Sequence, residues 1–106
     1  MTKNFRSQLV LATVVAVSCA VGFAQTGGEA VYKTKCQSCH GASGTPTPSM
    51  AKMLGIKPAT DPSIKALSVT QIIAVIKSGK GKMKPVANLN EDQIKDSATY
   101  YKSLTK

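Results

Sequence analysis

Cys36-Gln37-Ser38-Cys39-His40 is the stretch from which this chain has to be understood. On a helix its two thiols and its imidazole stand at i, i+3 and i+4, so all three project from one face. Two thiols so spaced can each add to one vinyl group of a porphyrin, and the adjoining imidazole is then carried beneath the ring, within reach of the iron. Gly41 follows at once and suits ending the helix in a left-handed conformation. Other uses of these residues fit less well. A zinc site wants four N/S ligands, and beyond the leader the chain offers two Cys and one His. A redox dithiol wants a βαβ setting, and a disulfide across the pair would leave His40 without a role.

Upstream, Lys3 and Arg6 precede the apolar run Leu9 to Val17, and Gly22-Phe23-Ala24 offers small residues for cleavage. Residues 1–24 are expected to be a secretory signal peptide, and residues 25–106 one mature domain exported to the periplasm. The apolar run is short for a span, so no stable membrane insertion is expected after cleavage. Cys19 would leave with the leader, because Ala16-Val17-Ser18 only weakly resembles a lipoprotein signal.

Of the 14 Lys and Arg, Lys3 and Arg6 lie in the leader, which leaves 12 against 5 acidic residues. So basic a surface suits a partner with an acidic docking face and speeds encounter with it. Nucleic acid is not the expected partner, since no basic aromatic platform is visible. Both Phe residues sit in the leader and Trp is absent, so the mature aromatics are Tyr32, Tyr100 and Tyr101. A core this poor in large side chains is marginal in so short a chain, and a buried macrocycle would supply the missing apolar bulk. Without it, the chain is expected to be poorly folded.

Gln25 to Gly28 reads as a flexible lead-in, and Glu29 to His40 as the first helix. Gly41 to Pro48 is loop by composition. Ser49 to Leu54 can form a short helix closed by Gly55, and Lys57 to Pro62 is a punctuated connection. In Ser68 to Ser78, Val69, Ile72, Ile73 and Ile76 follow helical spacing, with Ser68 and Gln71 as a capping box and Gly79 past the end. Asn90 and Gln93 open the last helix, whose Ile94, Ala98, Tyr101 and Leu104 share one face. Nothing reads as a sheet or a repeat.

His40 is the only histidine, so a second imidazole cannot bind the iron within one chain. Met50, Met53 and Met83 are the remaining candidates. Met50 and Met53 lie on a helix face and read as core fillers. Met83 lies in a glycine-rich, proline-flanked loop between two helices, a reasonable place for a ligand that must reach across.

Tyr32 ahead of Cys36-Gln37-Ser38-Cys39-His40-Gly41, then Gly79-Lys80-Gly81-Lys82-Met83, then Ala98 to Leu104 together resemble a class I cytochrome c of the small bacterial single-haem type. The resemblance covers nearly all of the mature chain. It implies an all-α fold of about four helices around one covalently bound haem c, the first and last helices crossing near Gly28, Tyr32 and Tyr100. It implies Cys36 and Cys39 as the attachment points and His40 and Met83 as the iron ligands. It also implies a loop proline whose carbonyl orients His40, with Pro48 the better match and Pro46 the alternative. One departure is Lys84, which intervenes before Pro85 where the family often has proline directly after the methionine.

The expected function is one-electron transfer by a monomeric carrier rather than an enzyme. Its partners would be redox proteins with acidic docking surfaces, such as a membrane oxidoreductase or a terminal oxidase. Lys80, Lys82 and Lys84 are either part of a docking rim or ordinary solvated lysines. One alternative is a haem enzyme or ligand-binding sensor with an open sixth site; the other is a dithiol module without haem.

Overall fold

The computed structural model of the chain describes residues 20–106, with side chains from residue 27 onward. Most of the expected leader, Cys19 included, lies outside the described residues. Six helices follow one another: α1 (Ala20–Lys35), α2 (Gln37–His40), α3 (Pro48–Leu54), α4 (Pro62–Lys65), α5 (Val69–Ser78) and α6 (Glu91–Ser103). Among the described residues there is no strand, only an isolated bridge between Lys80 and Met83. The fold is all-α, as expected, with two one-turn helices added to the four longer ones.

Local chemistry explains where the helices begin. Ser68 accepts from the Gln71 amide at 3.2 Å while the Gln71 side chain accepts from the Ser68 amide at 2.8 Å. Asn90 and Gln93 repeat this box at 2.8 and 2.9 Å. Thr47 caps α3 and Asp61 caps α4, each followed by proline at the first helical position. Proline is well suited there, because its fixed φ is helical and its missing N–H has no intrahelical role. Asp61-Pro62, expected within a connection, is a helix start.

α1 differs from expectation at both ends. It is helical through Gln25-Thr26-Gly27-Gly28 rather than beginning at Glu29, and it stops at Lys35, with Cys36 separating it from α2. The glycines persist in the helix because α1 packs there on α6: a β-carbon at Gly28 would collide with the Asp96 carbonyl. One helical turn later, Tyr32 is 1% exposed and its ring lies 5.3 Å from that of Tyr100. The crossing of α1 and α6 near Gly28, Tyr32 and Tyr100 is therefore present.

The core sits between α5 and α6. Ile72, Ile76, Ile94 and Ala98 are buried, with Leu67, Val69, Ile73, Val86, Leu89 and Tyr101 packed around them. α3 contributes no buried residue, and Met53 is 60% exposed. Met53 is thus not the core filler its helical spacing suggested.

Candidate functional site

Cys36, Gln37, Ser38, Cys39 and His40 form one tight turn. The amides of Cys39 and His40 both approach the Cys36 carbonyl, at 3.2 and 3.0 Å, and the Cys36 amide donates to the Tyr32 carbonyl at 2.9 Å. The turn therefore grows directly from the end of α1. Both cysteines are free thiols, half-buried. Burial, reinforced by the neighbouring Cys39, pushes the Cys36 thiol above its ordinary value. That direction is opposite to the depression an attacking dithiol needs.

Gly41 ends the turn at φ 83°, ψ 160°, a glycine conformation other than the left-handed helical one expected. Its α-carbon lies against the Thr45 carbonyl, where a side chain would collide. The Gly41 carbonyl accepts from the Tyr32 hydroxyl at 2.6 Å. Tyr32 thus braces the exit of the turn from the helix that enters it. This bond joins residues nine apart, and no spacing rule points to it.

His40 is half-buried, and its ring meets the edge of Tyr101 with centroids 5.6 Å apart at 70°. Burial pushes its pKa below the ordinary value of 6.5, so the ring is neutral at physiological pH. A neutral imidazole is the form that binds a metal. Among the described residues, His40 Nδ1 is the one buried side-chain polar atom with no hydrogen-bond partner. A buried polar atom left unpaired costs roughly 1–3 kcal/mol and calls for an explanation.

Neither loop proline supplies that partner here. Pro48 is the exposed first residue of α3. Pro46, the alternative, is buried in the loop between Gly41 and α3. Met83 is half-buried and belongs to a separate segment. There Lys80 and Met83 exchange backbone hydrogen bonds of 2.9 and 3.0 Å across Gly81 and Lys82. The structure thus brings Cys36, Cys39 and His40 together and holds Met83 on a turn between α5 and α6.

These residues fit a covalent haem. Two unpaired thiols and a neutral imidazole share one turn, the imidazole carries an unsatisfied buried nitrogen, and a thioether stands on another loop. Haem c would be held by Cys36 and Cys39 as thioethers. Three or more His, Cys, Asp or Glu side chains able to hold a bare metal ion occur nowhere together among the described residues. Two surface hollows lie elsewhere. One, of about 270 Å³, runs beside Ala30, Val31 and Leu89; the other is beside Lys65 and Lys106.

Comparison with known proteins agrees. A solved structure described as KustC0563 c-type cytochrome superposes with a TM-score of 0.65 at 28% identity, covering 74% of this chain and 98% of that one. No curated protein matches the sequence. The family described as cytochrome C oxidase, cbb3-type, subunit III matches residues 23–100, which take in the thiol turn, His40 and Met83. With its all-α fold and paired thiols, the chain belongs to this family of cytochrome c domains, whose business is electron transfer by covalently bound haem.

Proposed function

We propose that the chain is an exported single-haem electron carrier whose iron is bound by His40 and Met83. The observation that carries this is the thiol turn itself: Cys36 and Cys39 unpaired, and beside them a neutral, half-buried His40 with an orphaned Nδ1. Bound haem iron would alternate between ferric and ferrous states, one electron at a time, and a thioether opposite an imidazole favours the ferrous state. The chain's own residues do the rest. α1 and the Tyr32 hydroxyl fix the turn, Tyr101 sets the tilt of the His40 ring, and the loop through Pro46 covers the turn's exit. Pro46, being buried, is the better placed of the two prolines to approach Nδ1 once the site is complete.

With His40 and Met83 both holding the iron, no coordination site would remain for a substrate, and the chain would act as a carrier rather than an enzyme. The signal peptide of residues 1–24 would direct export to the periplasm, and among the described residues no helix is long and apolar enough to cross a membrane. The carrier would act as a monomer. Its partners would be redox proteins with acidic faces, a terminal oxidase among them, as the family's description suggests. Lys80 and Lys84, both exposed, would contribute to the docking rim.

The test is the mass and visible spectrum of the exported protein. One haem added at Cys36 and Cys39, with a sulfur-to-iron charge-transfer band in the ferric state, is the expected result. Absence of that band together with ready carbon monoxide binding would favour an open sixth site. Unmodified thiols would overturn the haem reading altogether.

A further inference from the structure

The turn that carries Met83 is tied at its base and across to another helix, and the two ties differ in kind. At the base, the Gly79 amide donates to the Val75 carbonyl at 2.7 Å and the Val86 amide to the Ile76 carbonyl at 3.0 Å. Both anchor the segment to α5. At the tip, Gly81 at φ 58° and Lys82 reverse the chain between the paired Lys80 and Met83. A positive φ at the first central position is what a hairpin turn of this kind requires, and glycine supplies it. These backbone bonds all lie within α5 and the segment that follows it.

One side chain ties the tip to another helix. Lys82 Nζ donates to the Met53 carbonyl at 2.9 Å, across 29 residues of sequence. Among the described residues it is the only side-chain hydrogen bond joining the segment 79–86 to another element. The acceptor lies in the last turn of α3, where carbonyls carry the negative end of the helix dipole and favour a cation. Met83 is the next residue after Lys82.

We propose that Lys82 is a positioning residue for Met83: its ammonium straps the methionine turn to the end of α3 and thereby sets where the thioether stands. The inference rests on Met83 as the second iron ligand. It also separates Lys82 from Lys80 and Lys84, whose ammonium groups have no protein partner among the described residues. A lysine whose role is docking matters only when the partner is present; this one acts within the isolated protein.

The experiment uses the exported haem protein with Lys82→Ala, Lys82→Arg, Lys80→Ala and Lys84→Ala. Lys82→Ala is expected to weaken the ferric sulfur-to-iron band and to raise the affinity for added imidazole roughly five-fold, the loss of one exposed charge-assisted hydrogen bond. Lys82→Arg keeps a donor of similar reach and should retain most of the band, and the two flanking variants should leave it unchanged. Circular dichroism of each variant checks that the helices are intact; Lys82→Leu, which keeps most of the stem, replaces Lys82→Ala should that variant fail to accumulate. Equal bands and equal imidazole affinities in Lys82→Ala and the wild type would overturn the strap while leaving Met83 as ligand. An equal loss in all three alanine variants would overturn it too, pointing to general charge. A wild-type protein without the band would remove Met83 as ligand and the strap with it.

Discussion

Tyr32 and Gly41 are joined by a 2.6 Å hydrogen bond that closes the thiol turn on the helix that leads into it. Tyr32→Phe removes the donor and keeps the ring packed against Tyr100. The Gly41 carbonyl then retains only the longer approach of the Gly44 amide, at 3.3 Å. We expect the haem protein to lose about 1–2 kcal/mol of stability. The midpoint of denaturant unfolding measures this, and an unchanged midpoint would show that the bond contributes nothing net.

Gly27 and Gly28 should respond in opposite ways to alanine. A methyl at Gly28 meets the backbone carbonyl of Asp96, which cannot rotate away, so the two helices must part. The expected cost is about 1–3 kcal/mol. At Gly27 the nearest atom is the Asp96 carboxylate at an ordinary 3.7 Å, and the helix gains from losing a glycine. Gly27→Ala should therefore be neutral or stabilising by up to about 1 kcal/mol. Thermal melts of the two variants, run side by side, decide it.

Alkaline pH should destabilise the fold through its tyrosines. Burial pushes the phenols of Tyr32 and Tyr101 above the ordinary value of 10.0, and Tyr101 adds to the effect on Tyr32. Such groups ionise more readily in the unfolded chain than in the folded one. Their contribution is complete below pH 10.0 and declines as pH rises from there toward the folded-state values. Unfolding midpoints collected from neutral to strongly alkaline pH should fall above that point, and less steeply in Tyr32→Phe. A flat profile would contradict the burial of these hydroxyls.

Lys102 holds the end of α4. Its ammonium donates to the carbonyls of Lys65 at 2.7 Å and Leu67 at 2.6 Å. These are charge-assisted bonds from a half-buried side chain at a helix C-terminus. Lys102→Met should cost about 1–2 kcal/mol and speed amide exchange in the segment 62–67 while sparing α5. Uniform protection across both segments would show that α4 is held by its Asp61 cap alone.

Replacing both cysteines of the thiol turn, Cys36→Ser with Cys39→Ser, should yield a chain without a cooperative thermal transition. Fully buried apolar residues among those described are few: Tyr32, Ala59, Ile72, Ile76, Ile94 and Ala98. So small a set is marginal for holding a domain of this length. A sharp melt by circular dichroism would show that the helices need no macrocycle.

Much of the architecture was legible because it is written in local chemistry. The capping boxes at Ser68 and Asn90, the Ile72–Ile76 spacing and the thiol turn all depend on residues within a few positions of one another. What escaped depends on contacts between distant segments. α1 extends through Gly28 because α6 is there to receive it. Met53 has helical spacing yet stands exposed. Tyr101 reaches His40, and Lys82 reaches Met53, only once the chain has folded. Asp61-Pro62 was readable as a helix start, since both residues favour one, but a single turn has no periodicity to announce it.

Tyr101 belongs to two structures at once: it packs on the isoleucine core between α5 and α6, and its edge rests on His40. A shift of the last helix therefore carries to the imidazole, and the setting of that ring depends on how α6 seats against α5.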